Sequence, residues 1–305
     1  MDKERKASMK EISAEFLGTL VLMVFGLGVN AQVTVGKATT SMGDESFSTF
    51  AYGDYLTLNF GWGVAVMLGV YVAGGITGAH LNPAVSVAMA FRKKLVWTKV
   101  PVYIAAQVIA AIVASGIVYL VYFEQIEYVE QSAQAQAIKN AQALPVVTEG
   151  GLEIQVEIRD GKRTMETAGI FATYPREFDD DNRVTNWTGL LDQFVGTALL
   201  LLVICAVVDQ KNIGPDISLA PIAIGAIVLM IGMAFGANCG YAINPARDFG
   251  PRLFTFLAGW GSVVFLEPDN FWYLVPIIGP VLGGVAGVAI YDQLITRFHS
   301  DEEDE

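Results

Sequence analysis

The tripeptide Asn-Pro-Ala stands twice in the chain, at Asn82-Pro83-Ala84 and Asn244-Pro245-Ala246, and each copy opens a short apolar segment, 82–91 and 244–257. Asparagine is a favoured helix N-cap, and proline is well tolerated at the first helical position, where its missing N–H would be unpaired anyway. Each copy therefore predicts a helix start, with about half a positive elementary charge at its end. Each also supplies a side-chain amide that donates hydrogen bonds without titrating. Arg247 and Asp248 follow the second copy directly, and His80 precedes the first. This chemistry is donation and electrostatic exclusion, not bond making. No nucleophile, base and orienting group come together in any loop. Cys205 and Cys239 form neither a disulfide framework nor a metal-binding spacing. The expectation is a non-enzyme with no cofactor, no metal and no nucleic-acid partner.

The elements that must position these residues are apolar and long. Of 305 residues 53% are hydrophobic and 16% charged. Charges gather in the first ten residues, two internal loops and the last five, leaving uncharged stretches suited to a bilayer. Six stretches approach the roughly 20 residues that a spanning helix needs: 12–35, 55–77, 97–122, 188–209, 217–237 and 271–293. The net charge of −12 is read as solvated surface. The first ten residues are polar and the run after them is long enough to span, so no cleavable signal peptide is expected.

The two copies also belong to a longer repetition. Glu15-Phe16-Leu17-Gly18-Thr19 is echoed by Gln193-Phe194-Val195-Gly196-Thr197. Three spans per half is an odd number, so the second half must run upside down, and inverted repeats of this kind enclose a midplane site built from broken helices. The expected fold is an all-α membrane protein of six transmembrane helices and two re-entrant half-helices. Its parts are a cytoplasmic tail 1–11, a first repeat 12–122 with half-helix 82–91, an extended extracellular loop 123–187, a second repeat 188–295 with half-helix 244–257, and an acidic cytoplasmic tail 296–305. Alternation over Leu152–Ile158 followed by Asp160-Gly161 suggests a small β-hairpin in that loop. Lys and Arg crowd the loops on the side of both termini, which places both in the cytoplasm, with the plasma membrane as the expected site. Asn186-Trp187-Thr188 is a glycosylation sequon, but it lies close to a span and is expected to stay unmodified.

Thr77-Gly78-Ala79-His80-Leu81-Asn82-Pro83-Ala84-Val85 and the stretch Gly240 to Arg252 resemble the paired signatures of the major intrinsic proteins, the aquaporin superfamily. Asp248, with Ile170-Phe171-Ala172-Thr173-Tyr174-Pro175, resembles the glycerol-conducting branch, the aquaglyceroporins. The resemblance implies a homotetramer in the lipid bilayer, each protomer with its own pore for glycerol and water. It implies a selectivity constriction of Trp62, Gly232, Tyr241 and Arg247, with Gly232 leaving space where strict water channels generally place His. Backbone carbonyls at Gly78, Ala79, His80, Gly240, Tyr241 and Ala242 would line the lumen. Glu15 and Gln193 would anchor the re-entrant loops, and Asp248 would hold the second loop open. His80 has two readings, a hydrogen-bonded wall residue or a pH-sensitive mouth, since histidine titrates near pH 6. Gln193, where many relatives carry Glu, and the sizes of the loops 123–170 and 36–54 depart from the family pattern.

A strict water channel is the nearest alternative, and a urea-permeable pore a variant of the first. A secondary transporter would need ionisable residues in its spans to couple an ion, yet the second and fifth spans carry no Asp, Glu, Lys or Arg, and the third carries only Lys99 at its edge. A structural membrane protein that uses 123–187 for adhesion is the remaining possibility.

Overall fold

A computed structural model of the chain describes residues 3–42, 45–143, 163–179, 182–216 and 218–299. The first apolar run is α1 (Lys3–Val35). It is followed by an antiparallel pair, β1 (Lys37–Met42) and β2 (Glu45–Ala51). Residues 36–54 read as a plain loop from sequence, because their Thr and Phe favour strands without the apolar alternation that announces one. The fold is thus helical, as expected, with one small two-stranded hairpin added to it among the described residues. The hairpin expected over 152–161 lies outside the described residues, as do residues 300–305 of the acidic tail.

A capping box starts α2 (Tyr55–Thr77): the Asp54 carboxylate accepts the Thr57 amide at 2.9 Å, and Thr57 Oγ1 accepts the Asp54 amide at 3.3 Å. The helix ends at Gly78 in the left-handed region, φ 77°. There follow α3 (Pro83–Phe91), α4 (Val100–Val121), α5 (Phe123–Ala143), α6 (Met165–Ala168), α7 (Asn186–Val208), α8 (Ala220–Phe235), α9 (Pro245–Thr255), α10 (Val263–Leu266) and α11 (Val275–Leu294). Among the described residues five helices are long and apolar enough to cross a membrane: Ser8–Val35, Tyr55–Thr77, Trp97–Val121, Asn186–Val208 and Trp272–Phe298. The sixth expected span is α8, shorter than predicted at 16 residues. Pro221 in its first turn and Gly236 at its C-cap bound it, leaving about 24 Å of helix at 1.5 Å per residue.

Packing relies on small residues, as expected where lipid supplies no hydrophobic drive between helices. Gly279, Gly283 and Gly287 recur every fourth residue on α11, against α7. A Cβ on Gly283 would lie 2.1 Å from Phe194 O, and one on Gly287 2.2 Å from Ala198 O. Beyond α4 the chain continues as α5, and residues 163–168 fold back on it. Glu130 is 3% exposed and accepts the Thr164 amide and the Thr167 hydroxyl. The Arg163 guanidinium pairs with Glu127 and lies 4.7 Å from the Trp260 ring centre. Both described ends of the loop 123–187 are therefore packed onto the helical body.

Candidate functional site

The two Asn-Pro-Ala copies start helices as the sequence predicts. Asn82 is the N-cap of α3, its Oδ1 accepting the Ala84 amide at 2.8 Å. Asn244 is the N-cap of α9, its Oδ1 accepting the Ala246 and Arg247 amides at 3.0 and 3.2 Å. Pro83, Ala84, Pro245 and Ala246 are buried in the first turns. The copies also grip one another: Asn82 Nδ2 donates to Ile243 O at 2.8 Å, and Asn244 Nδ2 donates to Leu81 O at 2.8 Å. An amide nitrogen carries two hydrogens, so one on each asparagine is taken and one remains for a guest.

A cavity of about 840 Å³ runs past this meeting point. Trp62, Tyr241 and Arg247 line one end of it; Asn82, Asn244, Gly78, Ala79, His80 and Ala242 line its middle; Arg92, Asp209 and Thr296 line the other end. Two predicted members are not among its lining residues. Gly240 O accepts Gln193 Nε2 at 2.8 Å and the Ala242 amide at 3.0 Å, which uses both lone pairs, so this carbonyl faces protein donors. Gly232 packs behind Tyr241: a Cβ there would meet Tyr241 Cζ at 2.4 Å and Asn59 Oδ1 at 2.4 Å. The space that Gly232 leaves is filled by the tyrosine ring and not by lumen.

The remaining three members converge. The Arg247 guanidinium carbon lies 4.5 Å from the Trp62 ring centre, a cation–π stack. Arg247 Nη1 donates to Phe171 O at 3.1 Å, and Trp62 Nε1 donates to Asn30 Oδ1 at 2.8 Å. Behind Arg247, Asp248 and Arg252 form a fully buried pair, Nε to Oδ1 at 2.9 Å. Asp248 Oδ2 accepts the amide and hydroxyl of Thr173 at 2.7 and 2.5 Å, and Arg252 Nη2 donates to Thr173 O at 2.7 Å. Asp248 thus clamps the loop at Thr173 onto α9. From sequence Arg252 has no role beyond ending the second signature, although an Arg four residues after Asp248 on one helix face was a legible signal.

The two anchors work by different chemistry. Glu15 is fully buried and accepts from Thr77 Oγ1, the His80 and Leu81 amides and Gln107 Nε2 at 2.6, 3.0, 2.8 and 2.8 Å. Gln193 accepts the Ile243 amide at 2.9 Å and donates to Gly240 O, a donation that an ionised Glu could not make. His80 contacts Ser86 Oγ through Nδ1 at 3.1 Å and lies edge-on to Tyr103.

At the far end, Arg92 holds Asp292 by two bonds of 2.9 and 2.6 Å and reaches Cys205 Sγ at 3.0 Å. Asp209 sits beside them, just beyond α7. Burial raises its carboxyl, but the Tyr291 hydroxyl at 2.8 Å, the Lys211 amide at 3.0 Å and the charges of His299 and Arg92 outweigh that, holding it below the ordinary carboxylate value. A lowered carboxylate stabilises the fold above its unfolded value and ceases to do so as pH falls through its folded value. The melting difference between wild type and Asp209→Asn is therefore expected to be full at pH 7 and to vanish below the ordinary carboxylate range. A difference constant with pH would remove the ionic role. Among the described residues no group of three or more His, Cys, Asp or Glu could hold a metal. The sequon residue Asn186 has its amide on Asp269 at 3.0 Å.

The family model described as major intrinsic protein matches residues 2–291. Aquaporin-10 of Milnesium tardigradum is 42% identical over 294 residues, covering 92% of this chain, and the chain spans 62% of that relative's length. Human aquaporin-10 and aquaporin-9 are 36% and 37% identical, each match covering 97% of this chain, and 84% and 85% of the respective relative. The X-ray structure of the aquaglyceroporin from Plasmodium falciparum matches with a TM-score of 0.69 at 30% identity, over 95% of this chain and 98% of that one.

Proposed function

Because the chain belongs to the major intrinsic protein family, we propose that it is a passive channel for glycerol and water that excludes ions and protons. The observation that carries this reading is the stack of Arg247 on Trp62 beside Tyr241, at one end of a cavity that both asparagines line. A polyol needs donors for its hydroxyls and an apolar surface for its carbons. Arg247 keeps its charge at any physiological pH and, with Nη1 tied to Phe171 O, offers the rest of its fork to passing hydroxyls. The faces of Trp62 and Tyr241 supply the apolar corner. Carbonyls of Gly78, Ala79, His80, Tyr241 and Ala242 and one free N–H on each asparagine relay the solute, while two helix N-termini repel cations. Selectivity by diameter, lining and electrostatic barrier is the general logic of aquaporin-type pores. The names of the relatives, aquaporins and an aquaglyceroporin, favour the same solutes.

In this reading the protein is an integral membrane protein of two inverted repeats, 12–122 and 188–295, with α8 as the sixth span and α3 and α9 as half-helices. The reciprocal bonds of Asn82 and Asn244 support the pseudo-symmetry. Homotetrameric assembly, cytoplasmic termini and a plasma-membrane location complete the proposal. The test is light scattering from liposomes carrying the purified protein. Vesicles are expected to shrink in hyperosmotic glycerol and then reswell, while in sucrose they stay shrunken. Shrinkage by fast water loss without faster reswelling than in empty liposomes would leave a strict water channel. Repeating the glycerol arm from pH 5 to 8 separates the two readings of His80: a change through the imidazole range assigns it the mouth, and a flat profile assigns it the wall.

A further inference from the structure

The outer half of α1 buries an amide side chain, Asn30, 5% exposed, among apolar neighbours. A buried amide in a membrane helix must find partners, and Asn30 uses both of its ends. Its Oδ1 accepts Trp62 Nε1 at 2.8 Å, and its Nδ2 donates to Ile170 O at 2.9 Å. Neither bond is needed to build α1, whose backbone is satisfied within the helix. One turn earlier stands Gly26, where a Cβ would lie 2.4 Å from Cζ3 of Trp62. Residues four apart share a helix face, so α1 presents a socket: a gap for the six-membered ring and an acceptor for the indole nitrogen. The two walls of the constriction hang from neighbouring carbonyls of one loop. Ile170 O holds Trp62 by way of Asn30, and Phe171 O holds Arg247 directly at 3.1 Å.

We propose that Asn30 is a specificity-determining positioning residue: it fixes the Trp62 indole against Arg247 and keeps the indole N–H out of the lumen, so that Trp62 offers a passing solute its face only. Glycerol needs that face for its carbon chain, whereas water needs only the donors of Arg247. Losing Asn30 therefore disfavours glycerol more than water. The proposal rests on the glycerol-channel reading above, and the two fail separately. The wild-type glycerol flux tests that reading, and ratios among variants test this one.

The experiment measures glycerol and water permeability in liposomes for wild type, Asn30→Val, Trp62→Phe and the double variant. One buried hydrogen bond has a net worth that corresponds to about a three- to tenfold change, and Asn30→Val is expected to lower the glycerol-to-water ratio by that much. Trp62→Phe keeps a ring and removes the donor, so adding Asn30→Val to it is expected to lower the ratio no further. Independent effects would instead multiply. An unchanged ratio in Asn30→Val, including equal loss of both permeabilities, overturns the proposal, as does full multiplication in the double variant. Should Asn30→Val fail to insert, Gly26→Ala pushes on the same ring without touching an amide; a lowered ratio there sustains the proposal, and an unchanged ratio overturns it.

Discussion

Asp248→Ala is expected to lower stability by about 3–5 kcal/mol, the range for removing one partner of a buried ion pair. The loss has two sources. Arg252 is fully buried and would keep its charge with no carboxylate beside it. The amide and hydroxyl of Thr173 would lose their common acceptor, and an orphaned buried donor costs about 1–3 kcal/mol. A lower melting midpoint in detergent, followed by tryptophan fluorescence, should accompany a low yield of inserted protein. Asp248→Asn with Arg252→Gln, which removes both charges, should recover part of the loss. A melting curve for Asp248→Ala that overlays wild type would sink the clamp.

Gly232→Ala is expected to reduce glycerol permeability about tenfold or more, the kinetic equivalent of the 1–3 kcal/mol typical of overpacking. The added Cβ meets Tyr241 Cζ at 2.4 Å, so the ring must move, and the side open to it is the cavity that Tyr241 lines. Removing the ring should remove the effect of the added methyl. Tyr241→Ala with Gly232→Ala is expected to lower glycerol flux no further than Tyr241→Ala alone, whereas a simple pore-narrowing role for residue 232 would make the two losses multiply. Gly232→His would enlarge the collision and confound narrowing with displacement. Flux in Gly232→Ala equal to wild type would show that the ring has another place to go.

What was legible in the sequence was local. Asn followed by Pro specifies a helix start through two adjacent residues, so both half-helices and their caps could be read directly. The intramembrane Arg247 announced itself by the cost of a charge at that depth. What was hidden depends on partners far along the chain. Gly232 shows only that a side chain is missing, and sequence cannot say that Tyr241 fills the gap. The engagement of Gly240 O depends on the donor end of Gln193, 47 residues away. Asn30 looks like a stray polar residue in an apolar run until Trp62, 32 residues on, and Ile170, 140 residues on, are seen beside it. The 36–54 hairpin escaped because its residues carry strand propensity without an amphipathic rhythm.

The crossed bonds between Asn82 and Ile243 O and between Asn244 and Leu81 O span 161 and 163 residues. At 5–20 residues per second, a ribosome needs on the order of ten seconds to travel from one partner to the other. Throughout that interval Asn82 and Leu81 already exist, and neither has its mate. The first half of the chain therefore enters the membrane with an unfinished seam, and a later segment, inserted from the other direction, completes it. Biogenesis must shelter that seam, with water, lipid headgroups or the insertion machinery as temporary partners. The two halves of the chain are thus joined at their middle by bonds that neither half can make alone.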